Sequence, residues 1–143
     1  MADDDEEDCM LVKEAFEENR LINDLRFVED GEELMDYLNR RGKYEDPALS
    51  PWPDLILLDL NMPKKDGRTA LREIKEDPRL HCIPVVILTT SREERDVLLT
   101  YNTGASSFIM KPVSFEGLVE VISAIKIYWF DIVRFPAARN GCE

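Results

Sequence analysis

Three short apolar runs each end on a polar side chain able to carry chemistry, and this pattern constrains the fold more than any other feature of the chain. Leu55-Ile56-Leu57-Leu58 ends in Asp59, Val85-Val86-Ile87-Leu88 in Thr89-Thr90-Ser91, and Ser107-Phe108-Ile109-Met110 in Lys111-Pro112. A run that is apolar without alternation suits a strand whose sheet is covered by helices on both faces. The segments between the runs read as helices. From Glu6 onward Cys9, Leu11, Val12, Ala15 and Phe16 recur at helical spacing, and Asn19 and Asn23 mark the end. Glu32 to Arg41 presents Leu34, Tyr37 and Leu38 on one face. Arg68 to Glu76 and Arg92 to about Asn102 follow, the latter with Gly104 placed to cap it, and Ser114 starts a long last helix running to about Arg134. Leu25 to Glu29 reads as one more short strand before an Asp30-Gly31 turn, and Gly42 to Pro53, with three prolines, as a loop. Strands that alternate with helices need parallel crossovers, so the chain is expected to form an α/β, doubly wound parallel sheet.

Composition narrows the function. The 143 residues make one domain. With 18 Lys+Arg against 30 Asp+Glu the net charge is -12, which repels phosphate backbones, so no nucleic acid is expected as a partner. No apolar run is long enough to span a bilayer and the start lacks a signal-peptide pattern, so the expected protein is soluble and cytoplasmic, with no membrane partner. Cys9, Cys82, Cys142 and His81 fit neither a disulfide scaffold nor a zinc site. Cys9 reads as a small apolar helix residue, and His81 and Cys82 as loop residues.

In doubly wound sheets the ligand site forms beyond the carboxyl ends of the strands. The sequence delivers Asp59, Thr89 and Lys111 to that edge, together with Asp3-Asp4 just before the first helix. Three carboxylates in one pocket need a counterion. Their hard oxygen donors suit Mg²⁺ completed by waters and a phosphoryl oxygen. Lys111 supplies a second positive point and Thr89 a neutral donor, so the two can hold phosphoryl oxygens. A carboxylate beside Mg²⁺ can itself be the nucleophile and form an aspartyl-phosphate. Taken singly, Asp59 is also a turn residue, Asp3 and Asp4 a solvated run or cap, Thr89 a cap, Lys111 a surface lysine and Phe108 plain core. Those readings leave unexplained why polar groups end successive strands together.

Five stretches carry a family resemblance: the acidic pair in Ala2-Asp3-Asp4-Asp5, Leu57-Leu58-Asp59-Leu60-Asn61-Met62-Pro63 with Asp66-Gly67, Ile87-Leu88-Thr89-Thr90-Ser91, Gly104-Ala105, and Phe108-Ile109-Met110-Lys111-Pro112. In this order at strand-to-helix junctions, they resemble the response-regulator receiver domain, the CheY-like family. Leu-Thr-Thr-Ser, the Pro-rich loop and the aromatic end of the last helix are most similar to stand-alone regulators associated with phytochromes. The resemblance implies a five-stranded parallel sheet of order 2-1-3-4-5 and a phosphoacceptor rather than an enzyme, with Asp59 taking phosphate from a histidine kinase and able to autophosphorylate and autodephosphorylate. It implies that Asp4 binds Mg²⁺ directly, Asp3 through water, Asp59 by its carboxylate and Asn61 by its main-chain carbonyl. Thr89 and Lys111 would contact the phosphoryl group, Phe108 would be a switch aromatic, the side chains of Asn61 and Ser91 would tune hydrolysis, and the Lys111-Pro112 peptide would be cis. Two rival readings remain, a degenerate receiver that only binds partners and a haloacid-dehalogenase-type phosphatase. The second is disfavoured by Asn61, which stands where that family has another acid.

The resemblance also implies a buried first strand of about five residues, yet only Met1 and Ala2 precede the acidic pair. A first strand cut short there, by a misassigned start or a truncation, is expected to leave unpaired backbone on its neighbours. Asp5 to Asp8 then serve as cap and first turn of the first helix. The receiver is expected to fill residues 1–134, leaving 135–143 as a tail too short for an output domain, so that output passes through protein contacts. The last helix, from about 114 to 134, is roughly 32 Å long and overshoots a strand of about 17–20 Å. Its far end carries Ile127, Tyr128, Trp129, Phe130, Ile132, Val133 and Phe135 on all sides. That much apolar surface predicts a two-fold homodimer through this segment, the alternative being that the Pro-rich loop with Trp52 covers it.

Overall fold

Parallel pairing buries the first two apolar runs in the centre of the molecule and sets the third, half-buried, at the sheet's edge. In the computed structural model, which describes residues 1–21, 23–137 and 141–142, strands β1 (Ile56–Leu58), β2 (Val85–Thr89) and β3 (Ser107–Met110) form one parallel sheet in that order. Ile56 lies opposite Val85, and Val86 opposite Ser107. On the far side of β1, Ala2 makes parallel bridges to both Leu58 and Val28. The spatial order is therefore Val28, Ala2, β1, β2, β3, which is the 2-1-3-4-5 arrangement with its first two positions reduced to single bridges.

The expected strand from Leu25 to Glu29 forms only at Val28. Val28 N–H donates to Met1 O (2.9 Å), Asp3 N–H to Val28 O (3.0 Å) and the Met1 amino group to Arg26 O (2.6 Å), so the pairing runs out beside Arg26. A cavity of about 330 Å³ lies in that place, between Leu25 and Val28 on one side and Leu55 and Leu57 on the other, with Trp52 and Phe130 in its wall.

Helices α1 (Glu6–Glu18) and α5 (Phe115–Ile125) cover one face of the sheet, and α2 (Gly31–Asn39) and α3 (Gly67–Glu76) the other, with α4 (Glu94–Thr103) against α3 and β3. Because successive strand residues point to opposite faces, Leu57, Val86 and Leu88 pack with Val12, Phe16, Leu118 and Ile122, while Ile56, Leu58, Val85 and Ile87 pack with Leu34, Leu38, Leu71 and Ile74. Carboxylate and hydroxyl caps start four of the helices: Asp5, Asp30, Asp66 and Ser114 accept from backbone N–H groups of the first turn, each cap worth about 1 kcal/mol. Gly104 ends α4 at φ 121°.

Three expectations are corrected. The α-helical part of the last helix stops at Ile125 and widens into a π-helical turn, Lys126–Ile132, closed by Val133 N–H donating to Tyr128 O at 2.8 Å. Beyond it the chain folds back so that Phe135 stacks on Trp129 (centroids 6.0 Å apart) and meets Phe130 (6.1 Å). Cys82 and Cys142 form a disulfide, their Cα atoms 5.8 Å apart, because Cys142 lies on the Arg79–Cys82 loop, its N–H bonded to Arg79 O at 2.8 Å. Cys9 is free and half-buried in α1. The Lys111-Pro112 peptide is trans, as are all peptides among the described residues, trans being the lower-energy form even before proline. No helix among the described residues is long and apolar enough to cross a membrane.

Candidate functional site

The bridges of Ala2 bring the acids together. Asp59 follows β1 and donates its N–H to Ala2 O (3.0 Å), while Asp3 on the other side of Ala2 donates to Val28 O, so both carboxylates reach the same sheet edge and both are buried. Asp3 is fixed further by Asp5 N–H donating to its Oδ1 at 2.9 Å. Asp4 is exposed beside them, and ligand oxygens of Asp3, Asp4 and Asp59 all lie within 4.8 Å of one another. Lys111, one residue beyond β3, donates its N–H to Thr89 O at 2.7 Å. Its ammonium reaches back across the sheet edge to Asp3 Oδ2 (2.6 Å), Asp8 Oδ2 (2.8 Å) and Asp59 Oδ2 (3.2 Å).

The remaining expected residues surround this centre. Thr89 is buried, and its Oγ1 accepts from Ser91 N–H at 3.3 Å. Asn61 is exposed at the start of the loop after Asp59, its N–H turned to Asp59 Oδ1 at 3.4 Å. Gly67 packs α3 directly on the site: a Cβ there would lie 2.1 Å from Asp59 O, so only glycine allows this approach. Phe108 is half-buried against the α2/α3 core, and its N–H donates to Tyr101 Oη at 3.2 Å. At the opposite end of the molecule Trp129, Phe130 and Phe135 are half-buried on one another, while Ile127 and Tyr128 stay exposed.

Charge balance explains the centre. Burial draws the Lys111 ammonium down, but its hydrogen bonds to Asp3 and Asp8, together with the charges of Asp59 and Asp3, outweigh this and hold it well above the ordinary lysine range. Burial pushes the Asp3 carboxyl up, opposed by the same lysine and by Asp5 N–H. A divalent cation fits the donor set, since three clustered carboxylates offer hard oxygen ligands, and the residues able to hold it are Asp3, Asp4 and Asp59.

Asp8, Arg68 and Asp96 are absent from the expected set, whereas Ser91 belongs to it. Asp8 reads as a first-turn acid of α1 yet holds Lys111. Arg68, Asp96 and Ser91 form a network beside Thr89: Arg68 donates to both oxygens of Asp96 (2.7 and 2.6 Å) and to Asp66 (2.9 Å), and Ser91 Oγ donates to Asp96 Oδ2 at 2.6 Å. The sequence does hold a signal for it, because Asp96 and Thr100 stand four residues apart on the buried face of α4.

Comparison with known proteins agrees with this geometry. The family model described as the response regulator receiver domain matches residues 1–123. The response regulator Rcp1 of Synechocystis sp. is 40% identical over 138 residues, covering 96% of this chain and 92% of its own length. The crystal structure of its Mn²⁺-bound form superposes with a TM-score of 0.87, at 40% identity over 95% of this chain and 96% of that one. The phosphorylated cyanobacterial phytochrome response regulator RcpA gives 0.87 at 39% identity, covering 95% of each chain. Buried Asp59 and Asp3 around a lysine, on a parallel sheet that these relatives share over nearly their whole length, place the chain in the response-regulator receiver family, whose domains are phosphorylated on aspartate by partner histidine kinases.

Proposed function

We propose that Asp59 is the phosphoacceptor and that the donor is the phosphohistidine of a sensor histidine kinase, of phytochrome type by analogy with RcpA. The observation that carries this reading is the Lys111 ammonium set between Asp59 (3.2 Å) and Asp3 (2.6 Å) at the edge of an acidic trio. A carboxylate oxygen of Asp59 attacks the phosphorus and the phosphorus–nitrogen bond of the donor breaks. The imidazole leaves as the neutral base after taking up a proton. Asp4, Asp59 and the Asn61 main-chain carbonyl directly, and Asp3 through water, would hold Mg²⁺, which would supply neutralisation of the charge on the transferring group. Lys111 and the Thr89 hydroxyl then hold phosphoryl oxygens, Phe108 follows Thr89 inward as the switch element, and the side chains of Asn61 and Ser91 set how fast water cleaves the aspartyl-phosphate. A small phosphodonor such as acetyl phosphate serves in place of the kinase.

Residues 1–134 form the receiver and 135–143 its tail, and the signal leaves through protein contacts rather than nucleic acid or membrane, in the cytoplasm. The exposed Ile127 and Tyr128, next to Trp129, Phe130 and Phe135, support a two-fold homodimer through the end of the last helix. Labelling with acetyl phosphate in the presence of Mg²⁺ tests the central claim. The parent protein is expected to gain one phosphoryl group per chain and Asp59→Asn none. Labelling that survives in Asp59→Asn overturns the assignment.

A further inference from the structure

A lysine ammonium has three N–H donors and no acceptor, and in this site each faces a different carboxylate: Asp3 at 2.6 Å, Asp8 at 2.8 Å and Asp59 at 3.2 Å. The three partners are not equivalent. Asp3 and Asp59 belong to the trio able to hold a divalent cation, and Asp8 stands outside it. Resting on the reading of Asp59 as phosphoacceptor, the bonds to Asp3 and Asp59 are the two that compete with a cation and with esterification for the same carboxylates. The bond to Asp8 lies outside that competition.

The backbone supports that role. Asp8 lies in the first turn of α1, where its N–H is held by the capping carboxylate of Asp5 at 3.2 Å, so its position is set by the helix start. Its side chain is 30% exposed, against 9% for Lys111 and none for Asp3. Asp8 thus sits on the solvent side of the lysine. It is the one partner of the three that is not in the cation-holding trio.

We propose that Asp8 is a positioning residue for the phosphoryl transfer, a fixed anchor that keeps the Lys111 ammonium in reach of the phosphoryl oxygens while its bonds to Asp3 and Asp59 are released. Without it, the lysine's carboxylate partners are Asp3 and Asp59, both in the cation-holding trio.

The test is a double-mutant cycle of Asp8→Ala with Lys111→Met, read by beryllofluoride affinity at saturating Mg²⁺. Asp8→Ala is expected to weaken beryllofluoride about tenfold in the parent, the worth of one charge-assisted hydrogen bond at the low end of its range, and less than about twofold once Lys111 is gone. Asp8→Asn, which keeps an acceptor oxygen, is expected to fall between parent and Asp8→Ala. A second reading needs no phosphate chemistry: acylation of Lys111 by acetic anhydride, followed by mass spectrometry, is expected to speed up in Asp8→Ala and not in the neighbouring control Glu7→Ala. Equal losses in both backgrounds, or unchanged acylation, overturn the proposal. If beryllofluoride fails to bind the parent while acylation responds as expected, the function assigned to Asp59 is overturned, and Asp8 remains the anchor of the lysine without a part in transfer.

Discussion

Arg68 holds Asp96 by two parallel hydrogen bonds, Nε to Oδ1 at 2.7 Å and Nη2 to Oδ2 at 2.6 Å, and this pair ties the start of α3 to α4. The same carboxylate accepts from Ser91 Oγ, and Ser91 N–H donates to Thr89 Oγ1. The loop that follows Thr89 is therefore fastened, through Ser91 and Asp96, to the helix that packs on Asp59.

This pair has a pH signature. The hydrogen bond from Arg68 is the main cause that lowers the Asp96 carboxyl to about 2; burial opposes it, and Ser91 adds to it. Its folded value lies below the ordinary value of 3.8, so its contribution to stability is complete above about pH 4 and is lost as pH falls toward 2, on the order of 2 kcal/mol in all. Urea unfolding at pH 6 and at pH 2.5 is expected to show a smaller acid loss for Asp96→Asn than for the parent. Parallel losses would contradict the assignment.

Gly67 sets a steric limit on the site. A methyl group there would meet Asp59 O at 2.1 Å and Leu60 Cα at 2.7 Å, both backbone atoms that cannot rotate away. Gly67→Ala is expected to destabilise the protein by about 1–3 kcal/mol, as overpacking does, and to slow acetyl phosphate labelling because Asp59 itself is displaced. A urea midpoint equal to the parent's would show that α3 moves away freely.

The parts legible in the sequence are those where one residue type has one physical reason to stand where it does. Unbroken apolar runs found β1, β2 and β3, and the polar residues at their ends gave Asp59, Thr89 and Lys111. The rest depends on meetings between distant segments. Cys82 and Cys142 pair because the tail reaches the Arg79–Cys82 loop, which spacing does not reveal. Asp8 obeys the rule for a helix start and so concealed its bond to Lys111, 103 residues away. Leu25 to Glu29 has strand composition, but pairing needs a neighbour, and only Met1 to Asp3 provide one. The π-helical turn is accompanied by the return of Phe135 onto Trp129, a contact that periodicity does not reveal.

Lys111 both balances the buried acids and competes for them. Removing it with Lys111→Met leaves Asp3 and Asp59 without their counterion, and burial already pushes the Asp3 carboxyl up. The metal-free variant is expected to be less stable than the parent, by about 3–5 kcal/mol when a buried pair is broken. Its affinity for Mg²⁺ is expected to rise about tenfold or more, since a unit charge about 5 Å from a divalent cation costs it on the order of 7 kcal/mol at an effective dielectric of 20. Calorimetric titration checks this, and weaker Mg²⁺ binding in Lys111→Met would refute the competition.

The end of the last helix separates two kinds of apolar residue. Trp129 and Phe130 pack on the α1/α5 core and Phe135 packs on both of them, whereas Ile127, Tyr128 and Ile132 are 52%, 55% and 68% exposed. If a second copy covers this surface, Ile127→Glu is expected to give a monomer whose denaturation midpoint at low protein concentration matches the parent's, because the side chain makes little contact within its own chain. Trp129→Ala removes an internal contact as well and is expected to lower that midpoint by about 3 kcal/mol or more in stability. Sedimentation equilibrium distinguishes the cases: a parent that already sediments as a monomer, or an Ile127→Glu variant with the parent's mass, rules out a dimer built on this face.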